Sequence, residues 1–80
     1  MKLPRDVSGV ALVKGLQKLG YIIVRQKGSH VRLTTMQNGI HHVTIPLHDT
    51  IKIGTLSTIL NEVAEHHKLD RIALIQILFG

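Results

Sequence analysis

Cysteine is absent from this chain of 80 residues, and the aromatic residues are only Tyr21 and Phe79. Without cysteine the protein has no disulfides and no thiolate zinc site, which fits a reducing compartment. No apolar run approaches the roughly 20 residues that cross a membrane, and no hydrophobic stretch of signal-peptide length follows the N-terminus. We therefore expect one small cytoplasmic domain, residues 1–80, with no membrane association. Aromatic side chains stack on the bases of single-stranded RNA, and two of them are too few to indicate a preference for particular bases.

Acidic residues are missing from the first half of the chain. Between Val7 and His48 there is no Asp or Glu, whereas the same stretch carries five Lys or Arg residues and four His. The rest of the chain has five residues of each sign, so the whole net charge of +5 lies in the first half. Such asymmetry favours a polyanionic partner, and we predict a nucleic acid. A basic surface that only keeps the protein soluble is the alternative.

The first 20 residues predict a helix. Ser8 is a good N-cap, and apolar residues follow at near-helical spacing, so we expect a helix over Gly9–Leu19. Gly20 stands where a left-handed C-terminal cap is expected. Gly15 weakens this helix by roughly 1 kcal/mol relative to Ala, and we interpret it as a place where another part of the protein approaches the backbone.

Three strands are predicted next, over Tyr21–Gln26, His30–Thr35 and Ile40–Pro46. The turn Gln37-Asn38-Gly39 between the last two contains Asn-Gly, the strongest short hairpin signature. Alternation assigns one face to the core and the other to solvent. The expected core positions are Val31, Leu33, Thr35, Val43 and Ile45, and the expected polar positions are His30, Arg32, Thr34, His42 and Thr44. A sheet with one buried face and one solvent-exposed face is typical of antiparallel strands.

Two helices complete the chain. The first has a buried stripe at Leu56, Ile59, Leu60, Val63 and Ala64. The second begins at the N-cap Asp70, with Leu69 and Leu74 placed as a hydrophobic staple, and its body is apolar nearly all round. Such a helix needs cover on more than one side, which a homodimer, a hydrophobic partner or the domain itself could supply. The fold class is α+β, with a three-stranded antiparallel sheet.

The segment Arg25–Arg32 is a basic turn with one histidine. Lys27 and Arg32 can hold a phosphate, and Gly28 lets a backbone approach closely. Histidine ordinarily titrates near pH 6.5, so His30 could take a proton from a ribose 2′-OH or give one to the leaving 5′-oxygen. RNA cleavage of this kind needs positioning, a proton carrier and cationic stabilisation of the phosphorane. An ordinary surface histidine is the competing interpretation.

Other chemistries fit poorly. In a strand His41 and His42 point to opposite faces, and in a helix His66 and His67 diverge by about 100°, so no metal site and no cofactor are expected. Ser29 and His30 also project oppositely and lack an acidic orienting group, which argues against a nucleophilic triad. A helix-turn-helix in the second half would offer too few polar side chains for base edges.

Four motifs occur in an order and spacing that resembles the HicA (YcfA-like) mRNA interferase toxins of type II toxin–antitoxin modules. They are Leu16–Tyr21, Lys27-Gly28-Ser29-His30, Val43–His48 and Ile53–Leu60, with Val7-Ser8-Gly9 ahead of them. The resemblance implies an α-β-β-β-α fold similar to the double-stranded RNA-binding domain, here with an extra C-terminal helix. It implies ribosome-independent cleavage of mRNA, an active histidine at His30, and neutralisation by a HicB-type antitoxin that covers the active surface.

We therefore predict a metal-independent endoribonuclease in which His30 is the general acid or base and His48 is a second titrating group. The RNA-contacting residues are expected to be Arg25, Lys27, Gly28, Ser29, Arg32, His42 and His48. Two alternatives stay open: a non-catalytic RNA-binding module of the same fold, and a partner-binding domain that uses its apolar last helix.

Overall fold

A computed structural model describes residues 4–80 as three helices and three strands. In chain order these are α1 (Gly9–Gln17), β1 (Ile22–Lys27), β2 (His30–Thr35), β3 (His41–Pro46), α2 (Ile53–His67) and α3 (Arg71–Phe79). The strands form one antiparallel sheet in the order β1-β2-β3. The predicted α+β fold and its order of elements are confirmed. Among residues 4–80 no helix has the length and apolar character needed to cross a membrane.

The two faces of the sheet have the side chains that alternation predicted. Val31, Leu33 and Thr35 of β2 are buried, as are Val43 and Ile45 of β3. They join apolar residues of all three helices in one core. The other face of these strands is polar and mostly open to solvent. The position of the catalytic candidate on that open face follows from this alternation alone.

A β-bulge in β1 determines which face its cations occupy. Ile23 pairs with Leu33 and the next paired residue, Arg25, lies opposite Arg32, so Val24 is the extra residue. Because side chains alternate strictly along a strand, one inserted residue exchanges the two faces for everything after it. Without the bulge Arg25 would lie on the core side of the sheet. With it, Arg25 and Lys27 share the solvent face with His30 and Arg32.

Helix α1 begins where it was predicted and ends slightly earlier. The Ser8 hydroxyl accepts a hydrogen bond from the Ala11 amide at 3.0 Å, which confirms the N-cap. The helix ends at Gln17 rather than Leu19, because a tight turn leads into Gly20, whose φ of 81° is left-handed. A side chain there would also collide with the Gln37 and Thr35 side chains. Strands β1 and β3 each begin one residue later than predicted, and β1 extends to Lys27.

Helix α3 packs across α1 at Gly15. A Cβ at Gly15 would lie 2.7 Å from the carbonyl oxygen of Leu78, so the expected close approach at this glycine is confirmed. Asp70 caps α3 by accepting from the Ala73 amide at 2.7 Å. Only Leu74 and Leu78 of α3 are buried, while Ile72 on its outer side is 56% exposed. The domain therefore covers one side of α3, and a homodimer through the other side stays a prediction.

The loop that joins β3 to α2 is fixed by backbone hydrogen bonds to three other segments. The Leu47 amide donates to the Ser29 carbonyl at 2.6 Å, the Gly9 amide to the His48 carbonyl at 2.9 Å, and the Ile51 amide to the Val7 carbonyl at 2.8 Å. The α1 N-terminus lies so close to this loop that a Cβ at Gly9 would overlap the Pro46 carbonyl oxygen and lie 2.7 Å from the Leu47 Cα. Only glycine permits this contact.

A hydrogen-bond chain ties the C-terminal end of α2 to the turn between β2 and β3. The Asn38 amide faces His67 Nδ1 at 3.4 Å, so Nδ1 accepts and His67 Nε2 donates to the Tyr21 hydroxyl at 3.1 Å. That hydroxyl in turn donates to His41 Nδ1 at 2.7 Å. His66 stacks on His41 at 4.5 Å and donates to the carbonyls of Gln37 and Gly39. The chain requires neutral imidazoles at His41 and His67.

Burial reinforces that requirement. It lowers the pKa of His41 and of His67, and the neighbouring His66 lowers the pKa of each further; Glu62 opposes and His42 adds to the shift at His41. Burial also raises the pKa of Tyr21 to about 12, so the phenol keeps its proton. Protonating His41 would leave the buried hydroxyl facing two donors and no acceptor.

The free energy of unfolding should fall in mild acid. A histidine whose folded pKa is lowered takes up its proton more readily when unfolded, so its stabilising effect is complete above about pH 6.5 and is lost as the pH drops toward the folded pKa. We expect a lower melting temperature at pH 5 than at pH 7.5. In His41→Asn/His67→Gln the amides replace the hydrogen-bonding nitrogens without titrating, so the decrease should be smaller. An equal decrease in a variant that is normally folded at pH 8 would contradict this account.

Two glycine substitutions should have opposite effects on stability. Gly9→Ala places a methyl group against the backbone of residues 46–47, and we expect it to lower the free energy of unfolding by about 1–3 kcal/mol. Gly54→Ala is the matched control in α2, because no atom lies within 4 Å of its added Cβ. It should raise the free energy of unfolding by up to about 1 kcal/mol. Urea unfolding measures both, and a neutral Gly9→Ala would refute the proposed close contact.

Candidate nucleic-acid interface

Four basic or titratable side chains lie together on the solvent face of β1 and β2. The register pairs Arg25 with Arg32 and Lys27 with His30 across the two strands. Directly opposed residues point to the same face with their Cβ atoms about 5 Å apart, and all four are exposed. The result is a compact cationic patch, which we call the β1–β2 basic patch. It attracts anions and leaves each side chain free to adjust to them.

The turn between these strands is open. Gly28 has a left-handed φ of 59°, and no atom lies within 4 Å of the position its Cβ would take. The Gln26 side chain reaches the Gly28 carbonyl at 3.3 Å, and the Ser29 carbonyl accepts the Leu47 amide. The conformation explains the glycine, and the empty space beside it allows another backbone to approach.

The second titratable group near His30 is His48. The two imidazole rings meet edge to face with centroids 6.4 Å apart and planes at 71°. They contribute to a pocket of about 350 Å³ lined by His30, Thr44, Pro46, His48, Ile51, Lys52 and Thr55. This His30–His48 pocket lies where the polar face of the sheet meets the β3–α2 loop and the first turn of α2. Two histidines and a lysine therefore line one solvent-accessible space.

His48 is held in place through its main chain. Its carbonyl accepts from Gly9, and its neighbours Leu47 and Ile51 are bonded to Ser29 and Val7. Because Ser29 immediately precedes His30, the bond from Leu47 sets the two histidine-bearing segments side by side. The loop thus positions the second imidazole with backbone contacts, while the ring itself stays available to a ligand.

His42 lies on the predicted face but outside the His30–His48 pocket. It pairs with Thr34, and its Nδ1 is 2.7 Å from the Thr34 hydroxyl. His30 pairs with Pro46 near the opposite end of β3, about 13 Å along the strand from His42. Of the residues predicted around His30, the structure therefore brings His48 into the pocket and leaves His42 farther along the same polar face.

Sequence reasoning missed the five other residues that line the pocket; three of them are polar, namely Thr44, Lys52 and Thr55. Thr44 was assigned to the right face, but no role was given to it. Lys52 and Thr55 are 22 and 25 residues from His30 in the chain, and only the return of the β3–α2 loop brings them close. A local pattern cannot carry that information. Among residues 4–80, no group of three or more His, Asp or Glu side chains is arranged to hold a metal ion.

Comparison with known proteins adds one finding. A family model described as "HicA toxin of bacterial toxin-antitoxin" matches residues 11–64. The matched segment contains His30, His48 and Lys52 and covers more than half of the chain. Neither the curated proteins nor the solved structures gave a match.

Proposed function

The chain belongs to the HicA toxin family of bacterial toxin–antitoxin systems, and on that premise we propose that it is an endoribonuclease that cleaves mRNA without a metal ion. The observation that carries the proposal is the His30–His48 pair, two imidazoles 6.4 Å apart in one pocket. Cleavage of RNA by its own 2′-hydroxyl needs one group to accept a proton and another to donate one. Two imidazoles can supply both functions.

In the proposed reaction one imidazole, neutral at the start, takes the proton of the ribose 2′-hydroxyl. The 2′-oxygen then forms a bond to the adjacent phosphorus, and the bond from phosphorus to the 5′-oxygen breaks. The other imidazole, protonated at the start, gives its proton to that 5′-oxygen. The products are a 2′,3′-cyclic phosphate and a free 5′-hydroxyl. No water and no redox change is required, and the two imidazoles end with their protonation states exchanged.

The β1–β2 basic patch supports the choice of RNA as substrate. Arg25, Lys27 and Arg32 can neutralise phosphates on either side of the scissile one, and such contacts make affinity depend on salt. The open backbone at Gly28 and Ser29 lets the nucleic acid strand come close to the turn. His42 extends the polar face beyond this patch, and we assign it a contact to the same strand.

We propose a HicB-type antitoxin as the partner. The family implies a toxin–antitoxin pair, and a protein that covers the polar face of the sheet would exclude RNA from the His30–His48 pocket and from the basic patch together. Since mRNA is the proposed substrate, we assign the activity to the cytoplasm.

Purified protein incubated with an RNA transcript in EDTA is the decisive test. We expect cleavage products that end in a 2′,3′-cyclic phosphate. His30→Ala should lower the cleavage rate by at least 10²-fold while keeping affinity for a 2′-O-methyl copy of the transcript. His66→Gln, which keeps a donor toward the Gln37 and Gly39 carbonyls, is the matched histidine control and should cleave normally.

Results that contradict the proposed function would do so in two different ways. Intact RNA after incubation with a folded wild-type protein that binds it would favour the non-catalytic RNA-binding module. Undiminished cleavage by His30→Ala, or loss of wild-type cleavage on adding EDTA, would exclude the proposed mechanism.

A substrate with sulfur in place of the 5′-bridging oxygen shows which of the two histidines is the general acid and which is the general base. A thiolate leaves without protonation, so the variant that lacks the general acid should recover most of its activity on this substrate. We expect one of His30→Ala and His48→Ala to be rescued and the other not. Rescue of both or of neither would show that the pair does not divide the two proton transfers.

A further inference from the structure

Lys52 is the cation of the His30–His48 pocket. It lines the pocket together with the two imidazoles, and none of the lining residues is a carboxylate. It lies immediately before α2, is exposed, and makes no side-chain capping bond to that helix. Nothing in the fold described above requires its charge. We therefore look for the role of Lys52 in the pocket and not in the packing of the core.

We propose that Lys52 binds the scissile phosphate and stabilises the negative charge that develops on it, so that it is a further catalytic residue. This rests on the function proposed above. The cations identified from the sequence, Lys27 and Arg32, would then contact neighbouring phosphates.

The geometry of the reaction locates the scissile phosphate. The 2′-oxygen and the 5′-oxygen that exchange protons with the enzyme are bonded to the same phosphorus in the transition state. If one imidazole serves each oxygen, the phosphorus lies within reach of both rings, in the pocket that Lys52 also lines. The two non-bridging oxygens of that phosphate then lie in the same pocket.

The other three side chains of the β1–β2 basic patch lie outside the pocket. Strand β2 is the central strand, with Lys27 of β1 opposite His30 on one side and Pro46 of β3 opposite it on the other. His48 follows β3, so Lys27 and His48 flank His30 from opposite sides. Arg25, Lys27 and Arg32 do not line the pocket. A phosphate in the pocket therefore shares that space with Lys52, the only lysine or arginine among the lining residues.

The chemistry fits an ammonium group. Attack by the 2′-oxygen concentrates negative charge on the non-bridging oxygens, and a fixed cation beside them stabilises the transition state more than the ground state. Lysine offers a compact charge on a flexible stem and can follow the phosphate as its geometry changes.

Single-turnover cleavage by two variants at position 52 tests the proposal. Lys52→Met keeps the length of the side chain without its charge, and we expect cleavage about 10²-fold slower, with affinity for the 2′-O-methyl copy of the RNA changed by less than about threefold. Lys52→Arg should recover at least about a tenth of the wild-type rate. Lys68→Met is the control, because it removes the same charge from the opposite end of α2, about 24 Å away, and it should cleave as the wild type does.

A second readout does not depend on turnover. Inorganic phosphate is added to the protein while the ring Hε1 resonances of His30 and His48 are followed by NMR. We expect both resonances to move in the wild type and in Lys68→Met, and to move much less in Lys52→Met. Phosphate shifts that are the same in Lys52→Met would show that Lys52 is not the phosphate ligand and would overturn the proposal.

The outcomes separate the two proposals. If folded Lys52→Met cleaves RNA at the wild-type rate, the proposed role of Lys52 is overturned, whereas the endoribonuclease proposal is unaffected. Slower cleavage that is fully accounted for by weaker binding to the 2′-O-methyl RNA would also overturn that role, because Lys52 would then be only a binding contact. A wild-type protein that binds RNA but leaves it intact would overturn the proposed function and the catalytic role of Lys52 together.

Discussion

The contact between the N-terminus of α1 and residues 46–48 is the constraint on which the site depends. It joins an element of the core to the loop that carries His48, and it works only because Gly9 has no side chain. The same loop is bonded to Ser29, next to His30. One close backbone approach therefore seats α1 on the sheet and sets the separation of the two pocket histidines. The helix packing and the proposed chemistry are linked through main-chain atoms, which are rigid.

The β-bulge at Val24 is a second backbone feature on which the site depends, because it controls where the charged side chains of β1 lie. It determines whether Arg25 and Lys27 point to the solvent face or to the core side of the sheet. With the bulge, every cation of the hairpin lies on the face that carries His30. The cations predicted from the sequence are thus gathered on one face as the β1–β2 basic patch. We propose that this face contacts the RNA.

Four of the six histidines form two pairs, and the environments of these pairs have different physical consequences. His30 and His48 are exposed and line a pocket that is open to solvent. His41 and His67 are joined through the buried Tyr21 hydroxyl, where burial lowers the pKa of each imidazole. The first pair suits proton transfer. The second pair suits hydrogen bonding by neutral imidazoles. Together with the bonds from His66 to the Gln37 and Gly39 carbonyls, it holds the β2–β3 turn against α2.

The sequence by itself determined the order of the elements, the faces of β2 and β3, the caps at Ser8 and Asp70, and the close approach at Gly15. The caps and the strand faces depend on contacts a few residues apart or on a strict period, which a linear pattern records. Gly15 indicated that another segment approaches α1, but not that this segment is α3. It also indicated His30, through its basic turn and the resemblance to a family. The ends of α1 and of two strands differed by one or two residues, since such ends depend on turns whose partners are distant.

Only the tertiary structure decided which residues share the pocket. The bulge at Val24 leaves no pattern that distinguishes it from regular alternation, and Lys52 is brought to His30 by a loop that closes a separation of 22 residues. The Tyr21 network likewise joins residues from β3, α2 and the start of β1. Periodicity fixes the direction of a side chain relative to its own element, but the distance between two elements is set by how their backbones pack. For that reason the candidate histidine could be predicted, whereas its surroundings could not.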